Sequence, residues 1–396
     1  MVVAAYPIRQ GLRVGLVSVA PPTEISGQGR VLGRLLAGSH CIAMSEFADL
    51  DDARFTGIRL SPPAGEVSRF LSDRKYESAA TYARILETVR MRAREIARAT
   101  SSYQCSVVIG CSGSPFDLAA AALAARRCSV PFAAYLFDDA IGQWPSGPYK
   151  TAAKLLSRIW RSAADLLIVP NEFVASAWGR HGLRTVVIRN PLPDSFAATD
   201  RTRFEGAGPA DRVNVVYTGS VYHAQADAFH NVIAALERFA GQVHLHVFTN
   251  QPASWVEACG VNGPHVTRHE PVAAHEIPNV LASASVLLLP LGFNTGIPEA
   301  IRTASPGKLG EYLAAGRPIL AHVPPDSYVA AFCREKNCAV VVDTPDHAAL
   351  EKALGELQQG GSVTNQLQVN AKKASEEFKL ADVREKFWAA LHQIAR

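Results

Sequence analysis

Residues 303–323, TASPGKLGEYLAAGRPILAHV, contain the signals of a short helix followed by a buried strand. Ser305 is a good N-cap, because its hydroxyl can accept a hydrogen bond from an unpaired N–H of the first helical turn. Pro306 fits the first helical position, where a missing N–H costs nothing. Gly316 is the residue type that most often ends a helix, and residues 318–323 form an apolar run of strand length. The stretch predicts a helix–strand unit of an α/β domain.

Two charged residues of this helix point to a ligand. Lys308 lies in the first turn, where the helix dipole disfavours a cation by roughly 0.3–1 kcal/mol. An anion bound over the helix start would explain the lysine, and Gly307 would let that anion approach the backbone. Glu311 lies one turn later on the face of Lys308, and its carboxylate could accept the hydroxyls of a ribose. The alternative is an exposed Lys308–Glu311 ion pair without function.

Composition limits the class of protein. The chain has 396 residues, 19% of them charged and 48% hydrophobic, which suggests two well-packed domains. It contains no run of 18 apolar residues and no charged segment before an apolar core at its start, so we expect neither a transmembrane helix nor a signal peptide. Seven cysteines without a CxxC motif favour reduced thiols over disulfides or zinc. We therefore expect a cytoplasmic protein without a bound metal.

The charge is uneven along the chain. Residues 1–190 contain 23 Lys and Arg against 15 Asp and Glu, a balance of +8, and the remainder contains 17 against 21, a balance of −4. Two predicted basic helices, 74–100 and 149–163, lie in the basic half. Such helices usually pack with a solvated face, but they are also compatible with an anionic membrane surface. A peripheral contact with the inner face of a membrane is therefore one alternative. The sequence has no basic stripe with interleaved aromatic residues, so we do not expect it to bind nucleic acid.

The first domain opens with a strand at 13–20, a Gly-rich loop at 21–29 and a helix at 30–37, as a doubly wound sheet does. The backbone N–H groups of the loop, with an adjacent guanidinium, could bind a phosphate or a sugar hydroxyl. The alternative is a plain tight turn. The candidate acceptor- or phosphate-binding residues of this loop are Gly27, Gln28, Gly29 and Arg30.

A buried strand at 130–137 ends in the pair Asp138 and Asp139. The carboxyl ends of parallel strands are where ligands bind in such sheets. Two neighbouring carboxylates raise the pKa of one of them, so one could orient a sugar hydroxyl or accept a proton. The alternative is that they cap the following loop or helix.

After a polar, Gly- and Pro-containing stretch, the alternation of strands and helices starts again at residue 213. The fold class is therefore α/β, with two Rossmann-like βαβ domains. We predict an N-terminal domain at 1–195, a linker at 196–212, a C-terminal domain at 213–378, and a final helix at 379–396 that could cross back to the first domain.

Three segments resemble the GT-B glycosyltransferases, and most closely the retaining glycosyltransferase family 4 (group 1). They are ADLLIVPNEFVASAWGRHGLRTVVIRNPL at 164–192, VVYTGSVY at 215–222 and SPGKLGEYLAAGRPIL at 305–320. The resemblance implies a hexosyltransferase-type enzyme that moves a sugar from a nucleotide-sugar donor to a saccharide, lipid-linked or small-molecule acceptor. It implies two domains facing across a cleft, with the acceptor on the domain at 1–195 and the nucleotide sugar on the domain at 213–378. It also implies retention of configuration, with no metal and no cofactor, because the nucleotide sugar is a co-substrate.

The resemblance also assigns roles to residues. Glu311 corresponds to the ribose-binding glutamate of the family, and Thr303 stands where the family has the first of two paired glutamates. Catalytic roles fall to Asp138, Asp139 and Lys308. The residues implied in donor binding are Gly219, Ser220, Ser305, Pro306, Gly307, Lys308 and Glu311. Two alternatives are a sugar-nucleotide epimerase or hydrolase and a non-catalytic protein that binds a nucleotide or a partner.

Overall fold

The computed structural model describes residues 11–23, 26–47, 55–63, 78–194, 196, 204–209 and 211–395. Contacts divide the chain into two compact units. The first consists of Met1–Pro191 with Leu380–Arg396, and the second of Leu192–Lys379. The chain thus leaves the first unit once and returns to it for the last helix. Residues 197–203 and 210 of the predicted linker 196–212 lie outside the described residues, as do the first four residues of the predicted helix 74–100.

The first unit contains a seven-stranded sheet, all of whose described pairings are parallel. Its order is β3-β2-β1-β4-β5-β6-β7. The strands are β1 Arg13–Val17, β2 His40–Ser45, β3 Thr56–Arg59, β4 Val107–Cys111, β5 Phe132–Tyr135, β6 Leu166–Val169 and β7 Arg184–Val187. Parallel strands need crossover connections, and helices supply most of them here.

Among the described residues, five helices connect these strands, and a sixth comes from the end of the chain. They are α1 Gly27–Leu36, α2 Ala79–Ser102, α3 Asp117–Cys128, α4 Pro148–Ala163, α5 Glu172–Trp178 and α14 Leu380–Ile394. Side chains of Phe387 and Leu391 in α14 are fully buried in the same core as Leu16 and Leu32, and Trp388 Nε1 donates to the Leu35 carbonyl at 3.0 Å. Apolar burial therefore joins the last helix to the first unit.

The second unit contains a six-stranded parallel sheet of order β10-β9-β8-β11-β12-β13. Its strands are β8 Val213–Thr218, β9 Val243–Phe248, β10 Val266–His269, β11 Val286–Pro290, β12 Ile319–His322 and β13 Val340–Val342. Its helices are α6 Ala226–Leu236, α7 Ala253–Ala258, α8 Ile277–Ser283, α9 Pro298–Thr303, α10 Lys308–Ala315, α11 Tyr328–Lys336, α12 His347–Gln359 and α13 Ser362–Ser375. Short 3₁₀ turns occupy His223–Gln225, Glu237–Phe239 and Glu376–Phe378.

The central strands of both sheets are continuous apolar runs because both faces of a parallel sheet are covered. All residues of β4, β8 and β11 are buried. The strands that the sequence predicts at 13–20, 130–137 and 318–323 agree with β1, β5 and β12 to within three residues at each end. The sequence does not predict the three strands β2, β3 and β10. HCIAMS in β2 lacks a β-branched run, and the short edge strands TGIR and VTRH are half-exposed. Among the described residues, no helix has the length and apolar character that crossing a bilayer requires.

Candidate functional site

The second sheet has a topological switch point between β8 and β11. These neighbouring strands continue to opposite sides of the sheet, β8 toward β9 and β11 toward β12. In open α/β sheets the carboxyl ends of two such strands leave a crevice in which ligands bind. Here those ends are Thr218 and Pro290. The fold alone therefore marks this corner as a candidate site.

The turn after β8, formed by Gly219 and Ser220, exposes polar groups of the backbone. Gly219 has φ +121°, a conformation that side chains disfavour, and its N–H donates to the Phe248 carbonyl at 2.9 Å. Ser220 is exposed, and within the described residues neither its N–H nor its hydroxyl makes a hydrogen bond. Both donors of Ser220 are thus available to a ligand.

Helix α10 begins later than its sequence predicted. Its first residue is Lys308, and its N-cap is Gly307 without a side-chain hydrogen bond. The prediction of Ser305 as N-cap and Pro306 as first helical residue is therefore wrong. A proline disfavours helical dihedrals in the residue before it, and the Leu309 N–H closes a separate turn on the Pro306 carbonyl at 3.0 Å. The predicted end is confirmed, since Gly316 has φ +62°.

The ammonium of Lys308 lies against the turn after β8. Its Nζ is 3.7 Å from the centroid of the Tyr217 ring. A Cβ on Gly219 would lie only 3.2 Å from the same Nζ. A cation over an aromatic face is held by the ring quadrupole, an interaction of about 0.5–2 kcal/mol. The structure thus brings together three predicted site residues, Lys308, Gly219 and Ser220, with Tyr217 as their support.

Two buried tyrosines fix this arrangement. The Tyr312 hydroxyl, on α10, accepts a hydrogen bond from the Thr218 N–H at 2.9 Å, which joins the helix to the end of β8. The Tyr217 hydroxyl donates to the Ser220 carbonyl and so sets the course of the turn. Burial raises the pKa of both phenols above its ordinary range, which keeps them protonated. Neither tyrosine was predicted as a site residue, although Tyr312 stands four residues after Lys308, the spacing of one helix face.

The start of α10 offers space as well as charge. Gly307 is exposed, and no protein atom lies within 4 Å of where its Cβ would be. Its dihedrals, φ −57° and ψ −29°, are open to any residue, so the backbone does not require a glycine here. Glu311 lies in the first turn of α10 and is half-buried. An acidic residue there also stabilises the helix dipole, so its position fits both a ribose ligand and a structural role.

The segment before α10 is rigidly held. Thr303 is fully buried as the last residue of α9, and its hydroxyl donates to the Glu299 carbonyl at 2.9 Å. At the start of α6, the Asp227 carboxylate accepts from the N–H groups of Phe293 and Asn294 at 2.9 and 2.7 Å, which fixes the loop after β11. Thr303 therefore has a packing role. The sequence does not indicate this role of Asp227, because Phe293 and Asn294 lie 66 and 67 residues away along the chain.

The predicted Gly-rich loop of the first unit is in fact the first turn of a helix. Helix α1 starts at Gly27, with Ser26 as N-cap accepting from the Gly29 N–H at 2.9 Å. A Cβ on Gly29 would lie 2.5 Å from the Pro21 carbonyl oxygen, so close packing requires that glycine. The prediction of a loop up to Gly29 is therefore wrong. Arg30 is half-buried in the same turn, and its N–H donates to the Ser26 carbonyl.

The side chain of Gln28 lies at the switch point of the first sheet, between β1 and β4. Its Nε2 donates to Ser18 Oγ at 2.9 Å and to the Ser112 carbonyl at 3.1 Å. These contacts join α1 to the carboxyl ends of both strands. Gln28 is thus a positioned residue at the place where a ligand of this sheet would bind.

The two aspartates after β5 have different surroundings. Both oxygens of Asp139 are occupied: Oδ1 accepts from the N–H groups of Ile141 and Gly142, and Oδ2 accepts from Trp178 Nε1 at 2.9 Å. These contacts favour the capping interpretation for Asp139. Asp138 is exposed, so Asp138 remains the candidate that could meet a ligand.

Comparisons with known proteins agree with this architecture. Residues 212–359 match the model of the family described as "Glycosyl transferases group 1". The matched range includes β8, the turn at Gly219 and Ser220, and α10, which together we call the β8–α10 corner. No curated protein sequence matches the chain.

Solved structures of similar fold cover nearly the whole chain. Anabaena Alr3699/HepE in complex with UDP-glucose has a TM-score of 0.68 at 12% identity, covering 97% of this chain and 100% of that one. The alpha,alpha-trehalose 6-phosphate synthase of Burkholderia multivorans has 0.67 at 13%, covering 97% of each chain. A putative UDP-N-acetylglucosamine 2-epimerase from Listeria monocytogenes has 0.58 at 13%, covering 96% and 95%. The fold is that of the GT-B glycosyltransferases, with two parallel Rossmann-like sheets.

Proposed function

We propose that this protein is a glycosyltransferase that takes its sugar from a nucleotide-sugar donor bound at the β8–α10 corner. The observation that carries the proposal is the placement of the Lys308 ammonium over Gly219, at a helix N-terminus and a topological switch point. Such a place combines a full positive charge, the helix dipole and exposed N–H groups, which together suit a diphosphate. The family match over residues 212–359 supports the same assignment.

In the proposed reaction, the bond between the sugar's anomeric carbon and the diphosphate breaks, and an acceptor hydroxyl forms the new bond. Negative charge then develops on the departing diphosphate. In this proposal, Lys308 and the positive end of the α10 dipole stabilise that charge, and their positions are set before the reaction begins. Asp138 is our candidate for orienting the acceptor or taking its proton. Glu311 would accept the ribose hydroxyls, and Gly307 would admit the phosphates.

We propose that the reaction needs no metal, because Lys308 and the helix N-terminus supply the positive charge that a cation would otherwise bring. Attack on the face that the diphosphate leaves would retain the configuration at the anomeric carbon. The acceptor, a saccharide, a lipid-linked saccharide or a small molecule, would bind the first unit.

Two observations favour other functions for the same fold. Likeness to a putative UDP-N-acetylglucosamine 2-epimerase favours an enzyme that converts a nucleotide sugar without an acceptor. Burial of Thr303 at the position of the family's first glutamate favours a protein that binds a nucleotide without turnover. The three functions differ in whether they require an acceptor and in whether they release a nucleoside diphosphate.

Release of nucleoside diphosphate from UDP-, GDP-, ADP- and dTDP-sugars, with and without a mixture of saccharide acceptors, separates these functions. We expect release that depends on acceptor, is unaffected by EDTA and is lost in Lys308→Ala. Anomeric configuration is then read from the product by NMR. Epimerised nucleotide sugar without an acceptor would establish the second function. Binding without any conversion would establish the third.

A further inference from the structure

A basic surface of the first unit plays no part in the proposed reaction. It is formed by α2, α3 and α4, and α3 packs against both of the others. Three neighbouring grooves run over it, one along the end of α2, one between α2 and α3, and one between α3 and α4. The arginines that line these grooves are Arg90, Arg94, Arg98, Arg126, Arg127 and Arg158. We call this the arginine surface.

Shared residues make the grooves one continuous surface. Arg94 and Arg127 each line the first two grooves, and Arg126 lines the second and third. All six arginine side chains are exposed. The described carboxylates beside it include Asp165, which accepts from the Phe132 N–H at 2.9 Å, Glu87, one helical turn before Arg90, and Glu95, which accepts from Ser61. Positive charge therefore dominates the surface.

The six arginines have no partners in the part of the chain that the structure describes, neither hydrogen bonds nor ion pairs. On the opposite face of the same helix, Arg92 is buried and binds the carboxylates of Asp117 and Glu46. The folded chain thus neutralises the inner arginine of α2 but leaves the outer ones unmatched. Like charges one turn apart on a helix repel each other, and a polyanionic partner would remove that repulsion.

Apolar side chains accompany the charges. Leu155 on α4 and Leu86 on α2 are 54% and 45% exposed, and Leu123 and Ile159 line the grooves beside the arginines. Exposed leucines among basic residues are typical of helices that lie on a bilayer, with the leucines entering the lipid and the cations meeting phosphate. A single-stranded nucleic acid would favour exposed aromatic rings instead, and the one aromatic residue that lines the grooves, Phe132, is 2% exposed.

We propose that the arginine surface binds a bilayer that contains anionic phospholipids. The anionic headgroups would pair with the six guanidiniums, and Leu86 and Leu155 would enter the interface. The binding requires no nucleotide and no sugar transfer, so it stands apart from the proposed reaction.

Vesicle co-sedimentation of the full chain tests this surface. The vesicles are pure phosphatidylcholine or an equimolar mixture of phosphatidylcholine and phosphatidylglycerol. We expect binding to the mixed vesicles only, weakened by added salt. Each basic residue near an anionic surface contributes about five-fold in affinity, so Arg94→Gln, Arg126→Gln and Arg127→Gln together should lower affinity about a hundred-fold.

Two matched variants serve as controls. Lys352→Gln, Lys373→Gln and Lys386→Gln remove the same charge from exposed helical positions elsewhere, and this triple variant should bind as the wild type does. Lysine at positions 94, 126 and 127 keeps the charge and should also preserve binding.

Several results would overturn the proposal. One is equal binding to both vesicle types. Another is an equal loss of vesicle affinity in the arginine-to-glutamine and the lysine-to-glutamine triple variants. The third is a loss of affinity in the arginine-to-lysine triple variant as large as in the arginine-to-glutamine one. Tight binding to a soluble anionic polysaccharide, with none to vesicles, would instead assign the surface to a polyanion in solution.

Discussion

Lys308 occupies a position that a helix alone would not favour. As the first residue of α10 it adds a cation to the positive end of the dipole. Its contact with the Tyr217 ring offsets part of that cost, but it leaves the charge beside the exposed turn after β8. The diphosphate that we propose to bind here would account for both the charge and its position.

Gly307→Ala separates a role in binding from a role in folding. Because Gly307 has helical dihedrals and open space around it, alanine should raise the free energy of unfolding by about 0.4–1 kcal/mol. The new methyl group would occupy the space proposed for the phosphates, and we expect nucleoside diphosphate affinity to fall about ten-fold, a loss of about 1.4 kcal/mol. Calorimetric titration and thermal denaturation measure the two effects.

Gly355→Ala is the matched control, because Gly355 lies within α12 and a Cβ there would also meet no protein atom within 4 Å. It should stabilise the protein without changing nucleotide affinity. If Gly307→Ala binds nucleotide as tightly as Gly355→Ala does, the phosphates do not approach Gly307.

At the scale of elements, a hydrogen bond at the end of a buried strand helps to hold α10 in position. The Tyr312 hydroxyl is the acceptor for the Thr218 N–H, so Tyr312→Phe would leave that buried donor unpaired. We expect a destabilisation of about 1–3 kcal/mol. Nucleotide binding should also weaken, because Lys308 belongs to the same helix. Thermal denaturation measures the loss of stability, and calorimetric titration measures the dissociation constant of the nucleotide.

Tyr135→Phe provides the comparison. Tyr135 is equally buried, but its hydroxyl has no hydrogen-bond partner among the described residues. Removing that hydroxyl should leave the midpoint unchanged or raise it. An equal midpoint drop in both variants would mean that loss of the hydroxyl, and not of the bond to Thr218, is responsible.

The start and end of α10 show what sequence reveals about elements. Gly316 was predictable as the end, because the left-handed residue that ends a helix is most often glycine. The start was misplaced because Ser305 and Pro306 are good capping residues wherever they occur, and local preference does not reveal that the chain is still turning at Gly307. In the same way, the glycines of Gly27–Gly29 suggest a loop, although Ser26 caps this segment as the start of a helix.

At the scale of the molecule, the buried parallel strands were predictable and the partners of site residues were not. Runs such as VVIGC and VLLLP are apolar throughout because both faces of the sheet are covered. By contrast, the contact of Lys308 with Tyr217 joins residues 91 positions apart, which only the order of strands brings together. The sequence therefore indicated α10 as a candidate anion-binding helix, while the contacts of that helix with Tyr217 and through Tyr312 required the structure.

Buried histidines predict how the stability of the whole molecule depends on pH. Burial lowers the pKa of His322 from 6.5 to about 4, with Asp227 and His347 as its charged neighbours. Above pH 6.5 the histidine is neutral in both states and contributes nothing. As pH falls below 6.5, the unfolded chain binds a proton that the folded chain does not, so stability falls by about 1.4 kcal/mol per pH unit until about pH 4.

Denaturant unfolding of the wild type and of His322→Gln at pH 7 and pH 5 measures this effect. The variant should lose about 2 kcal/mol less than the wild type between the two pH values. Equal losses would mean that His322 takes up its proton in the folded state as readily as in the unfolded one.

Thermal denaturation with UDP, GDP, ADP and dTDP tests most directly whether the β8–α10 corner binds a nucleotide. A ligand at a hundred times its dissociation constant adds about 2.7 kcal/mol to stability. We predict strong stabilisation by one of the four nucleotides, unaffected by EDTA, lost in Lys308→Ala and Glu311→Ala, and retained in Lys352→Ala, which changes an exposed lysine of the same unit. Absence of stabilisation by any of the four, or its full retention in both corner variants, would contradict a donor site at this corner.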